Sequence, residues 1–134
     1  MAENQKKIWI TGASSGIGKA LAEKFASRGW KVAVSARRKE ILDKMSEHDN
    51  IFSFPLDVTN QDQINENFLK IIKEFNGIDL CVFSSGTYDP KLEQKINIKQ
   101  NKFVMETNFF GVLYCIKAVE KYFKEKKSGH ISIV

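Results

Sequence analysis

The chain of 134 residues reads as an α/β fold, a doubly wound parallel sheet with helices on both faces, in three layers. Three observations predict it. Short apolar runs alternate with longer amphipathic ones along the whole chain, the pattern of strands joined by crossover helices. The short runs are nearly continuous in apolar residues, which fits strands covered on both faces. The first of them runs straight into the glycine cluster TGASSGIGKA, residues 11–20, which opens an amphipathic stretch.

The first strand is KKIWIT, residues 6–11, and the first helix covers 16–28, with Ile17, Leu21 and Phe25 at helical spacing and Gly29 as its stop. The second strand is KVAVSA, 31–36, followed by a helix over 38–48. The third is IFSFPL, 51–56. The helix at 60–76 has Thr59 or Asn60 as its cap and carries Ile64, Phe68, Ile71, Ile72 and Phe75 on one face. IDLCVFS, 78–84, and GHISIV, 129–134, make the last two strands. The helix between them, at about 100–127, has too many apolar residues for one stripe, among them Phe103, Phe109, Phe110, Leu113, Tyr114 and Phe123. A helix apolar on more than one side must bury both, so a second partner besides the sheet is expected.

Composition narrows the class. With 43% hydrophobic residues and scattered charges the chain reads as globular. No apolar run reaches the roughly 20 residues that cross a bilayer, and MAENQKK holds no apolar leader, so no membrane partner is expected. Cys81 and Cys115 lie in apolar runs without a C-x-x-C pattern and read as reduced core residues of a cytoplasmic protein. The net charge of +5 is spread along helices, and its densest cluster, Lys121–Lys127, is interrupted by Glu125 near a helix end. That is a solvated face, not a nucleic-acid site.

The glycine cluster carries the chemistry. A glycine-rich turn from strand to helix puts unpaired N–H groups and the positive end of the helix dipole at one place, a site for phosphate. The triphosphatase loop is excluded, because Gly18-Lys19 is followed by Ala20 and not by Ser or Thr. The glycines are spaced G-x-x-x-G-x-G, unlike the common G-x-G-x-x-G. This spacing after Thr11, at the opening of a helix, resembles the short-chain dehydrogenase/reductase family. The resemblance runs through most of the chain but covers only about the first half of the domain such proteins usually possess.

The resemblance implies a Rossmann-type sheet in strand order 3-2-1-4-5 and a nicotinamide dinucleotide along Gly12, Ser14, Ser15, Gly16, Ile17 and Gly18. Ala36 stands where an acid would bind the ribose hydroxyls of NAD, and Arg37 and Arg38 follow, which suits the 2′-phosphate of NADP. They also fit two solvated arginines at a helix start. Asp57 and Val58 match the family's adenine contact, although an Asp before Thr59 and Asn60 also reads as a turn or cap residue. Ser84, Ser85 and Gly86 replace the more usual Asn-Ala-Gly, which keeps the close approach at Gly86 and loses the amide. Asn108 aligns with the family's Asn that helps hold a water in the proton relay; a local backbone contact that bends the helix is the other reading. No metal ligands are expected.

In the family a Tyr, its pKa lowered by a Lys four residues later, delivers the proton while a Ser hydroxyl orients the carbonyl; the Ser lies just past the fifth strand and the Tyr and Lys on the helix after it, beyond Val134. Tyr122 and Lys126 match the spacing, but fourteen residues separate Tyr122 from Asn108, about 21 Å of helix at ~1.5 Å per residue. They are a decoy. The expectation is the cofactor-binding portion, residues 1–134, of an NADP-dependent oxidoreductase acting on an alcohol or carbonyl, lacking its C-terminal part and inactive alone. The family implies a homo-oligomer through the helix at about 100–127. The alternative is a non-catalytic dinucleotide-binding or protein-interaction module.

Overall fold

The computed structural model describes residues 4–87 and 95–134. Five parallel strands form one sheet: β1 (Lys7–Thr11), β2 (Lys31–Ser35), β3 (Ile51–Ser53), β4 (Leu80–Phe83) and β5 (His130–Ile133), in the order β3-β2-β1-β4-β5. The flanking helices are α1 (Gly16–Ser27), α2 (Lys39–Met45), α3 (Gln61–Phe75), α4 (Ile98–Met105) and α5 (Gly111–Lys126). This is the Rossmann-type order that the family resemblance implies.

Strand alternation sorts the core into two layers. Ile8, Ile10, Val32, Val34 and Val82 pack with Ala22, Ala26, Leu42 and Met45 of α1 and α2. Trp9, Ala33, Cys81 and Phe83 face the other way, against Ile64, Phe68, Ile71 and Phe75 of α3 and Cys115 and Val119 of α5. Trp9 lies opposite Ala33 in register, stacks on Phe68 at 5.8 Å, and donates its indole N–H to Ser35 Oγ at 2.9 Å. A buried indole with a bonded N–H adds apolar area without an orphaned donor.

The ends of α3 follow the expected chemistry. Asn60 caps α3, its side chain accepting from Gln63 N at 3.1 Å, and Asn76 in the left-handed region closes it. β3 is shorter than the predicted 51–56. The amides of Phe54 and Leu56 still donate to Val34 and Ala36, but Pro55 between them has no N–H to offer, and β3 lies at the sheet edge.

The long last helix is one helix with a defect. Between α4 and α5 the residues Glu106–Phe110 form a π turn, in which Gly111 N–H donates to Glu106 O, five residues back. Thr107, Gly111, Cys115 and Val119 face inward. Met105 (53% exposed), Phe109 (51%), Phe110 and Leu113 do not, so this helix presents a second apolar face that no described residue covers. The lysine-rich end is solvated, with Lys117 and Lys124 paired to Glu120 and Lys121 to Glu125. Among the described residues no helix is long and apolar enough to cross a membrane.

Candidate functional site

A cleft of about 770 Å³ lies at the carboxyl ends of the strands, where the connections from β1 and β4 diverge to opposite sides of the sheet. In open α/β sheets ligands bind at this switch point. All thirteen residues that the sequence assigns to the cofactor line it: Gly12, Ser14, Ser15, Gly16, Ile17, Gly18, Arg37, Arg38, Asp57, Val58, Ser84, Ser85 and Gly86.

The glycine loop forms one wall, and its three glycines do different work. Gly12 has φ +65°, and a Cβ there would lie 2.6 Å from the Ser84 carbonyl oxygen and 2.8 Å from Ser85 N. Gly18 is also close-packed, a Cβ meeting Ser84 Oγ at 2.6 Å and the carbonyl of Gly12. These two let the ends of β1, α1 and β4 close on each other. Gly16, at φ +56°, has nothing within 4 Å and is open to the cleft.

The start of α1 is unsatisfied. Its N-cap residue, Ser15, is extended and makes no side-chain capping bond, and no acid stands in the first turn. The N–H groups and the positive dipole end there are available to an anion, the arrangement that binds phosphate.

Past the end of β2 the two arginines diverge. Arg38 Nη2 lies 3.4 Å from Ser14 Oγ, as a donor to it. Arg37 lies over the ring of Phe103 in α4, its Cζ 5.6 Å from the centroid. Asp57 takes the turn role: its Oδ1 accepts from Thr59 N at 2.9 Å and Thr59 Oγ1 at 2.8 Å, while the residue still lines the cleft. Ser84 Oγ donates to Thr11 O at 3.0 Å, which ties β4 to β1.

Asn108 does not line the cleft. From the π turn its Oδ1 accepts from Thr87 N at 2.6 Å and its Nδ2 donates to Thr87 O at 2.8 Å. Both halves of the amide are engaged by the loop after β4, so the bond is long-range and not the local contact that sequence left open. Tyr122 and Lys126 lie at the other end of the sheet. Tyr122 Oη accepts from Ile78 N at 3.2 Å, and Lys126 Nζ donates to Ile78 O at 2.9 Å and pairs with Asp79 at 3.6 Å. They lock the turn that enters β4.

Sequence reasoning missed Glu40, Thr87 and Thr107, which also line the cleft. Glu40 follows Arg38 by two residues, a charge visible in the sequence. Thr87 and Thr107 carry no local signal, because the π turn and the fold of the loop put them there.

The fold and cleft define a doubly wound α/β protein with an uncapped, glycine-rich strand-to-helix turn at its switch point. The short chain dehydrogenase family matches residues 6–134, and the chain belongs to it. It is 33% identical over 129 residues to an uncharacterized oxidoreductase of Staphylococcus saprophyticus, with 94% of this chain and 52% of that protein covered. It is 29% identical over 127 residues to the NADP-dependent 3-hydroxy acid dehydrogenase of Shigella flexneri, with coverage of 92% and 51%. The solved structure of ElxO with NADP bound superposes with a TM-score of 0.87 at 28% identity, over 96% of this chain and 54% of that one. The chain thus spans about half the length of the curated relatives it matches.

Proposed function

We propose that this chain is the cofactor-binding portion of an NADP-dependent oxidoreductase that transfers hydride between NADP(H) and an alcohol or carbonyl substrate. One observation carries the reading: the uncapped start of α1 and the open Gly16 share a cleft with Arg37 and Arg38, while Ala36 puts no acid at the adenosine end. Each part suits an anion, and together they suit a pyrophosphate with a further phosphate beside it. The NADP in the ElxO structure and in the name of the Shigella flexneri relative supports the same cofactor.

In this reading Gly12 to Gly18 hold the pyrophosphate, Asp57 and Val58 the adenine, and Ser84 to Gly86 the nicotinamide ribose. The cofactor, when bound, supplies or accepts the hydride. Asn108 organises the proton-relay end by fixing the backbone of Thr87, the residue after Gly86. The exposed apolar face of α4 and α5 packs on a second copy of the chain, and the buried, reduced cysteines suit the cytoplasm.

Calorimetric affinities for NADP and NAD test the reading. Charge-assisted bonds of roughly 1.5–3 kcal/mol to a 2′-phosphate imply a preference for NADP of about tenfold to a hundredfold. Arg37→Ala should shrink it and Ala36→Asp should reverse it. Equal binding of both cofactors by the unaltered protein would defeat the proposal. The second reading, a dinucleotide-binding or interaction module without turnover, draws on the Tyr122 and Lys126 pair, whose bonds lie far from the cleft. Residues 1–134 alone should bind NADPH without oxidising it in the presence of ketones, whereas the same assay on any longer product of the gene separates the two readings.

A further inference from the structure

Arg37 and Arg38 leave the end of β2 in different directions, and only Arg38 turns to the glycine loop. Arg37 lies instead against Phe103, the first aromatic of α4, with its Cζ 5.6 Å from the ring centroid. Arg37 is exposed and lines the cleft; Phe103 is half-buried and does not line it. We propose that Phe103 is a positioning residue for cofactor selection, its ring holding the Arg37 guanidinium at the adenosine end of the cleft. The inference rests on the NADP reading above and adds to it a determinant on α4, a helix remote in sequence from the arginines.

An exposed arginine otherwise spreads over many rotamers, and each must be given up when it binds a phosphate. A ring face attracts the cation through its quadrupole and takes none of its N–H donors. A carboxylate partner would use those donors and cancel the charge. Among the described residues none does so: Glu40 and Asp57 share the cleft, and neither forms an ion pair with Arg37. Lys102, beside Phe103 on α4, adds charge of the same sign. Phe103, Thr107 and Gly111 follow at intervals of four, so the helix that carries the ring also carries a residue of the cleft wall.

The test uses adenosine 2′,5′-bisphosphate and 5′-AMP as probes, titrated calorimetrically into the protein and into Phe103→Leu, Phe103→Tyr, Arg37→Ala and the Arg37→Ala/Phe103→Leu double variant. Phe103→Leu should weaken the bisphosphate about two- to fivefold, the equivalent of about 0.5–1 kcal/mol, and leave 5′-AMP unchanged. Phe103→Tyr keeps a ring face and should bind as the parent does. In the Arg37→Ala background the loss of Phe103 should change nothing further. Equal weakening of both probes, failure of Tyr to substitute, or an undiminished effect without Arg37 would each overturn the assignment. If the unaltered protein binds both probes equally, the NADP reading itself falls; if it prefers the bisphosphate and Phe103→Leu keeps the ratio, only the role of Phe103 falls.

Discussion

Gly12→Ala and Gly16→Ala, four residues apart in one loop, should fail in different ways. Both glycines have positive φ, +65° and +56°, so an alanine at either costs roughly 1–2 kcal/mol in backbone strain. At Gly12 the added Cβ also meets main-chain atoms of the β4 end, Ser84 O at 2.6 Å and Ser84 C at 2.7 Å. Backbone cannot rotate aside as a side chain would, so overpacking adds roughly 1–3 kcal/mol. The sum for Gly12, roughly 2–5 kcal/mol, is a large part of the 5–15 kcal/mol that holds a typical domain together. At Gly16 nothing lies within 4 Å, and strain is the whole stability cost. Gly16 lines the cleft where the phosphates are proposed to sit, so NADP affinity should fall while the fold survives. Urea unfolding followed by the fluorescence of buried Trp9, with calorimetric NADP titration, reads both quantities. Equal destabilisation by the two variants, or a Gly16→Ala protein that binds NADP as its parent does, would refute the division of roles.

Tyr122→Phe removes the oxygen that accepts from the amide of buried Ile78 and should cost about 1–3 kcal/mol in urea unfolding, with NADP affinity unchanged. A loss of affinity without loss of stability would place Tyr122 at the cleft after all. Burial raises both thiols from their ordinary value of 9.0, Cys115 to about 12 and Cys81 further, the latter also through its neighbour Cys115. The unfolded chain therefore releases protons that the folded chain keeps, and stability present below pH 9 falls as pH rises toward 12, by up to ~1.4 kcal/mol per pH unit for each thiol. Cys115→Ala should flatten that fall between pH 9 and 11, and rapid alkylation of the folded protein at pH 8 would contradict the burial. Phe110→Asp with Leu113→Glu should shift sedimentation toward the monomer if the exposed face of the last helix joins two copies; an unchanged profile would remove that face from the proposal.

Local pattern determined the elements and their class. Continuous apolar runs with helical stripes between them dictate parallel strands, because only crossover helices can cover both faces of such runs, and the strand order followed from the resemblance. Most residues of the cleft were legible for the same reason: they end strands β1 to β4 or open the helices after them, and such ends meet at one edge of the sheet, whereas Thr107 reaches it from the π turn inside the last helix. Direction and division of labour were not legible. Arg37 and Arg38 are adjacent and chemically identical, and what separates them is that α4 brings Phe103 to one and the glycine loop brings Ser14 to the other. The three glycines read alike as one phosphate turn, whereas packing at Gly12 and Gly18 and open space at Gly16 depend on where β4 runs. Nothing local marks the π turn at Glu106–Phe110, in which Asn108 pairs with Thr87 across the chain. A sequence pattern reports the face on which a residue lies, but the partner on that face comes from a distant segment, and only the packed fold supplies it.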